Sequence, residues 1–145
     1  MSTAGNWPDG VGPLDHTADV GLQATAGTLP SLLGRVASGM RILIEGEDAP
    51  DTSSTRTVER TIDVEAEDAP ALLVAWLREL LYLHQVEGLA FHDARVIDFS
   101  ETGLRADVSL RPAGDAAREI KGVTYHGLQA EERASGWHAR IIFDV

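Results

Sequence analysis

The stretch APALLVAWLRELLYLHQV, residues 69–86, carries the strongest helical pattern of the chain. Its apolar residues recur at steps of three and four, the spacing of one face of an α-helix. They are Leu72, Leu73, Trp76, Leu77, Leu80, Leu81 and Leu83. Asp68 directly precedes the stretch and suits a helix N-cap. Because this face is so apolar, we predict that the helix lies across a sheet.

A second amphipathic helix is predicted upstream, over residues 29–44. Apolar residues again recur at helical steps, at Leu29, Leu32, Leu33, Val36, Met40 and Leu43. Thr28 suits the N-cap, and Pro30 is tolerated in the first turn of a helix. The acidic segment that follows, residues 45–55, has no periodicity and is predicted to be a surface loop.

Strand patterns occupy much of the remaining chain. Apolar and polar residues alternate over residues 20–26 and 58–64, which is typical of half-buried strands. After Gly88, turn signals separate four more strand segments, LAFHDARVIDFS (89–100), GLRADVSLRP (103–112), EIKGVTYHGLQAEER (119–133) and GWHARIIFDV (136–145). Short connections imply antiparallel neighbours.

The predicted fold class is therefore α+β. We expect a mainly antiparallel sheet with two long helices on one face, in the order β-α-β-α-β-β-β-β. Residues 1–13 contain three Gly and two Pro and are predicted to form a flexible leader. Residues 14–145 are then a single domain, a usual size for one hydrophobic core.

The composition of the chain excludes several classes of function. The chain of 145 residues has no cysteine, which excludes disulfides, a thiolate zinc site and a cysteine nucleophile. Its formal charge of −11 makes direct binding to nucleic acid unfavourable. The first residues lack the basic start and the apolar core of a signal peptide, and no apolar run is long enough to span a membrane, so we expect a cytoplasmic protein. Nucleotide-loop and nucleophile-elbow motifs are also missing, which favours a protein that assists another one.

The segment DHTADVG, residues 15–21, concentrates polar side chains before a strand. Asp15, His16 and Asp19 could form a metal or acid/base site. The alternative is structural: Asp15 caps a turn, His16 is a surface imidazole and Asp19 accepts backbone hydrogen bonds.

The segment IIFDV, residues 141–145, ends on Asp144 and Val145. A side-chain carboxylate next to a terminal carboxylate is a dense group of hard oxygen donors, which Ca²⁺ and Mg²⁺ prefer. The alternative is a frayed polar end after a buried strand.

The segment IKGVTYHG, residues 120–127, mixes apolar residues with Lys121, Tyr125 and His126. Lys121 could neutralise a carboxylate cluster or present a point charge to a phosphate or a partner. Tyr125 and His126 could act as general acids or bases. A strand with one solvated face explains the same pattern.

Taken together, DHTADVG, LLVAWLRELLYL, IKGVTYHGL and IIFDV resemble the archease family in their order and spacing over residues 14–145. The resemblance implies a protein cofactor of the RtcB-type RNA ligase in tRNA splicing and RNA repair. Such a cofactor promotes guanylylation and multiple turnover of the ligase and is not itself the enzyme. It further implies a divalent cation, Ca²⁺ or Mg²⁺/Mn²⁺, held by Asp19, Asp144 and Val145, with Lys121 activating the ligase.

Two other hypotheses remain open from the residues themselves. One is a metal-dependent phosphoester hydrolase that uses Asp15, His16, Asp19 and His126. The other is a chaperone or adaptor that binds no metal.

Overall fold

The computed structural model describes residues 7–14, 19–49 and 56–145. Helix α1 spans Leu29–Glu45 and helix α2 spans Ala69–Val86, which confirms both predicted helices. The side chain of Thr28 accepts a hydrogen bond from the backbone N–H of Ser31, and Asp68 accepts one from Ala71. Both predicted N-caps are therefore present, and each satisfies a backbone donor that the first helical turn leaves unpaired.

The two helices pack against each other in the core. The indole N–H of Trp76, a side chain that is buried in α2, donates a 2.9 Å hydrogen bond to the carbonyl of Leu33 in α1. The ring of Phe91 meets the indole edge-on, with centroids 6.3 Å apart. Apolar packing and the hydrogen bond of the Trp76 indole therefore fix the position of α2 relative to α1.

In the described part of the chain, no helix is long and apolar enough to cross a membrane.

In the described ranges of the chain, eight strands form two antiparallel sheets. They are β1 (Val11–Pro13), β2 (Val20–Ala26), β3 (Val58–Glu65), β4 (Leu89–Ser100), β5 (Gly103–Pro112), β6 (Gly122–Val123), β7 (Gln129–Arg133) and β8 (Gly136–Asp144). The five-stranded sheet has the order β1-β2-β8-β6, with β7 also paired to β8, and the three-stranded sheet has the order β3-β5-β4.

Both helices contact strands of both sheets, and the buried side chains form one continuous core. The predicted α+β class, the antiparallel pairing and the single domain are confirmed. The structure differs in having two sheets instead of one. The β4–β5 pair contains two register shifts, and such irregularities bend and twist a strand.

The predicted strand over residues 119–133 is divided in two. Strand β6 ends at Val123, and β7 begins at Gln129. Between them the N–H of Leu128 donates to the carbonyl of Tyr125, and Gly127 has a φ of 63°. Glycine adopts this left-handed conformation without steric cost, so the apolar and aromatic residues here enter a turn although their pattern suggested a strand.

Part of the predicted leader is ordered. Residues 11–13 form β1 and pair with residues 22–24 of β2, with the side chain of Val11 buried in the core. The expectation of flexibility was wrong for these three residues, because a short edge strand tolerates Pro13, which lacks a backbone donor. Residues 1–6 lie outside the described part of the chain.

Candidate functional site

Two of the predicted metal ligands lie at neighbouring strand ends. Strands β2 and β8 pair with Val20 opposite Phe143, so the next residues outward in this register are Asp19 and Asp144. Both aspartates are exposed, as is Val145. Residues from opposite ends of the chain therefore meet at one end of the five-stranded sheet.

Lys121 reaches the same end of the sheet from the other side of β8. Its backbone N–H donates a 2.7 Å hydrogen bond to the carbonyl of Asp144, and Gly122 pairs with Asp144 in the β6–β8 ladder. The lysine itself is exposed. The structure thus brings Asp19, Asp144 and Lys121 together as neighbouring strand ends, in the order β2-β8-β6.

The donor set at this sheet end suits a hard cation. Asp19 and Asp144 offer carboxylate oxygens, and Val145 offers backbone or terminal oxygen, which Ca²⁺, Mg²⁺ and Mn²⁺ prefer to nitrogen or sulfur. Within residues 7–14, 19–49 and 56–145, no three His, Asp or Glu side chains are grouped so as to hold a metal ion. A cation bound here would therefore need main-chain, terminal or water oxygens in addition to the two aspartates.

Of the residues in the hydrolase hypothesis, Asp19 and His126 lie within the described part of the chain. Asp15 and His16 lie outside the described residues. His126 is exposed in the turn after β6, and its backbone N–H donates a 3.3 Å hydrogen bond to the hydroxyl of Thr124. The hydrolase hypothesis therefore gains no support from the placement of His126.

Helix α2 holds the segment that carries Lys121. The guanidinium of Arg78 donates a 3.1 Å hydrogen bond to the carbonyl of Val123, and the side-chain amide of Gln85 donates to the carbonyl of Ile120. Sequence reasoning did not single out Arg78 or Gln85. The available signal was their separation of seven residues, which places both on the same side of the helix two turns apart.

A buried carboxylate anchors the loop that precedes this segment. The Glu45 side chain, only 6% exposed, contacts Arg41 and His84 at 3.3 Å each and accepts a 3.2 Å hydrogen bond from the N–H of Gly114. The sequence predicted a surface loop from residue 45, which was wrong for Glu45. It is the last residue of α1, and these three partners compensate its burial.

The pKa of Glu45 is lowered from its usual range. Burial on its own raises the pKa, but the hydrogen bonds from His84 and Gly114 and the charge of Arg41 outweigh burial. The carboxylate therefore stays ionised at neutral pH, and it keeps both its ion pair with Arg41 and the hydrogen bond from Gly114 that holds the loop.

The end of α1 also anchors the loop through its backbone. The carbonyl of Ile44 accepts hydrogen bonds from the N–H groups of Ala117 and Arg118, and the Arg118 side chain donates to the carbonyl of Leu43. Carbonyls in the last turn of a helix have no partner within the helix, so the loop satisfies them.

A groove of about 690 Å³ runs from His84 past Arg118 to Lys121.

Fold and site together define a small α+β domain with carboxylates and a lysine at one end of an antiparallel sheet. A model of the Archease protein family matches residues 13–145. The chain belongs to the archease family.

Relatives over nearly the whole chain agree with this assignment. Protein archease of Thermococcus gammatolerans is 34% identical over 139 residues, which cover 90% of this chain and 95% of the relative. Protein archease of Methanosarcina barkeri is 30% identical over 141 residues, with coverage of 91% and 93%.

Two solved structures share the fold. The solution structure of protein 1598 of Methanobacterium thermoautotrophicum has a TM-score of 0.67 at 26% identity and covers 94% of this chain and 99% of its own. A crystal structure from Thermotoga maritima, named an archease and a possible chaperone, has a TM-score of 0.62 at 21% identity, with coverage of 92% and 95%. Neither name assigns an enzymatic activity.

Proposed function

We propose that this protein activates an RtcB-type RNA ligase in tRNA splicing and RNA repair, by promoting guanylylation and multiple turnover of the ligase. The observation that carries the proposal is the meeting of Asp19, Asp144 and Lys121 at one end of the five-stranded sheet. The 2.7 Å hydrogen bond between the Lys121 N–H and the Asp144 carbonyl ties two of these residues together. Membership of the archease family supports the same role.

The charge of the protein favours action through a partner. At −11 the chain repels RNA, whereas a ligase that binds RNA presents a basic surface that complements an acidic one. Complementary charge raises the association rate and selects the orientation of docking. RNA then stays with the ligase, and this protein acts on the ligase.

Asp19, Asp144 and Val145 would hold the divalent cation. When bound, the cation supplies positive charge at a sheet end that is otherwise lined by carboxylates. The two aspartates would neutralise its charge, and the β2–β8 pairing fixes the distance between their backbones. The oxygen donors of this chain suit a cation that acts by its charge on the partner.

Lys121 would act as a point charge at the ligase. Its ammonium is a compact cation on a flexible stem, and its backbone is fixed on both sides by Asp144 and by the bond from Gln85 to Ile120. Because the Lys121 backbone is fixed and its side chain is flexible, the ammonium can reach a phosphate or carboxylate of the partner without rearrangement of the fold.

The test is a multiple-turnover ligation assay with limiting RtcB-type ligase, GTP and RNA ends that carry 3′-phosphate and 5′-hydroxyl groups. We expect wild-type protein to increase the number of turnovers, and Asp19→Ala or Lys121→Ala to abolish most of this increase. Glu101→Ala, a change at an exposed acid between β4 and β5, is the matched control. Unchanged turnover with wild-type protein, or full stimulation by both variants, would reject the proposal.

The competing hydrolase hypothesis is tested in the same preparation. The isolated protein is incubated with a panel of phosphomonoesters, phosphodiesters and RNA in the presence of Mg²⁺, Mn²⁺ or Ca²⁺. We expect no hydrolysis. Turnover that is lost in Asp19→Ala would instead support the hydrolase.

A further inference from the structure

The outer side of α2 and the segment before β7 form a continuous surface beside Lys121. Arg78 bonds Val123 and Gln85 bonds Ile120, so helix and segment run side by side in opposite directions. Seven helical residues rise about 10.5 Å. The three residues of extended chain from Ile120 to Val123 span about 10 Å. The segment therefore covers the same distance as the helix between the two hydrogen bonds.

Tyr82 belongs to this surface by its position in the helix. It follows Arg78 by four residues and precedes Gln85 by three, and residues at these spacings share one side of a helix. It therefore lies level with the stretch between Ile120 and Val123, which contains Lys121. On the other side of Arg78, the guanidinium carbon lies 5.3 Å from the centre of the Tyr125 ring. We call Arg78, Tyr82, Lys121 and Tyr125 the tyrosine surface.

The tyrosine surface has the chemistry of a protein-binding site. Tyr82 is 52% exposed and Tyr125 is 57% exposed, which is high for aromatic side chains. Tyrosine and arginine are, with tryptophan, the residue types that most often contribute strongly to protein interfaces. Arg78 is already ordered by Val123 and the Tyr125 ring, so less side-chain entropy is lost when a partner binds.

Charge decides which class of partner the surface suits. Arg78 and Lys121 are two cations in a protein whose net charge is −11, and Asp144 lies directly beside Lys121. A nucleic acid presents a phosphate at every nucleotide and would be repelled by the rest of the molecule. A protein can place one or two carboxylates opposite the cations and an apolar area opposite the tyrosines.

We propose that the tyrosine surface docks a protein partner that presents carboxylates to Arg78 and Lys121. The proposal rests on the proposed function, since the partner it assigns to this surface is the ligase. The carboxylates of the ligase would meet the two cations locally, whereas its basic surface complements the acidic remainder of this protein. Arg78 has guanidinium donors beyond the one bonded to Val123, and these reach a carboxylate on the partner. Tyr82 and Tyr125, on either side of Arg78, supply the area that becomes buried when the partner docks.

The experiment measures binding of the full-length protein to the ligase by calorimetry, together with the concentration that gives half-maximal stimulation of ligation. We expect Tyr82→Ala and Tyr125→Ala each to weaken binding about tenfold and to raise the half-maximal concentration by the same factor. Maximal stimulation at saturation stays at the wild-type level. The matched control is Phe99→Ala, because Phe99 is 50% exposed on β4 of the other sheet.

The outcomes separate this inference from the proposed function. Wild-type stimulation with unchanged binding by both tyrosine variants would overturn the docking surface and leave the ligase role intact. Absence of binding and stimulation by the wild type would overturn both. A third measurement uses fluorescence anisotropy with labelled single-stranded RNA. Tight RNA binding that is lost in Tyr82→Ala would assign the surface to nucleic acid and overturn the protein partner.

Discussion

The backbone N–H of Lys121 donates a 2.7 Å hydrogen bond to the backbone carbonyl of Asp144. The proposed activating lysine and a proposed metal ligand thus share one main-chain contact. Because this contact uses no side-chain atom, either side chain can be replaced while the strand pairing is kept. The two roles can therefore be separated by mutation.

Metal binding is expected to stabilise the wild-type protein and not Asp144→Asn. A cation that binds only the folded state adds about 2.7 kcal/mol at a hundredfold excess over its dissociation constant. The amide keeps the shape of the side chain but removes the charge that attracts Ca²⁺, Mg²⁺ or Mn²⁺. The measurement is the melting temperature with and without each cation, and chelator should reverse any rise.

The control for this experiment is Asp98→Asn, at an exposed aspartate on β4 of the three-stranded sheet. It should respond to cations as the wild type does. If no cation raises the melting temperature of the wild-type protein, the metal site is wrong.

Local patterns predicted the helices and most strands because burial there follows the periods of helix and strand. Thr28 and Asp68 predicted the helix starts, and five of the six predicted strand segments match in position. The division of residues 119–133 was missed because it depends on the turn at Gly127, whose effect is not visible in apolar alternation.

The candidate site was only partly accessible from sequence. The family resemblance pointed to Asp19, Lys121 and Asp144, but their adjacency follows from the order β2-β8-β6, which local patterns do not encode. Burial of Glu45 depends on His84 and Gly114, which are distant in sequence. Sequence reading assigned Glu45 to a polar loop because a carboxylate is normally exposed unless partners compensate it.

Gly21→Ala is expected to destabilise the protein by about 1–3 kcal/mol, the usual cost of overpacking. A Cβ at this position would clash with the backbone carbonyl of Ile141 and lie 2.6 Å from a methyl group of Leu14. Relief requires β2 and β8 to separate, which also moves Asp19 away from Asp144. Urea unfolding measures the loss of stability, and the cation-induced rise in melting temperature should shrink as well.

Gly12→Ala is the matched control for Gly21→Ala. Gly12 lies in β1, and a Cβ there would meet nothing within 4 Å. Its effect should stay within about 0.5 kcal/mol. Equal effects of the two substitutions would contradict the close approach of β2 and β8 as the cause.

Glu45→Ala is expected to cost about 1–3 kcal/mol, because it leaves the N–H of Gly114 without its acceptor and removes the partner of His84 and Arg41. Glu45→Gln keeps an acceptor but loses the charge, so it should cost less. Urea unfolding at pH 7 measures both changes. Glu101→Gln, at an exposed turn position, should be neutral.

The contribution of Glu45 should also depend on pH. Its folded-state pKa is lowered, so the stabilisation is fully present above the unfolded-state pKa of glutamate, about 4.3. It is lost as the pH falls through the lower folded-state pKa. The difference in stability between wild type and Glu45→Gln should therefore be constant near neutrality and shrink in acid. A difference that grows in acid would show that the charge destabilises the fold.

Lys121→Ala is expected to lower the maximal stimulation of the ligase while leaving the melting temperature and its rise with cations unchanged. Only the backbone of Lys121 contacts Asp144, so the strand ends stay in place when the side chain is removed. Lys121→Arg keeps the positive charge on a longer, planar group and should retain part of the stimulation, because a point charge is the proposed requirement. Inactivity of Lys121→Arg equal to that of Lys121→Ala would instead indicate that the primary amine itself is needed. Full activity of Lys121→Ala at saturating protein would remove the lysine from the mechanism.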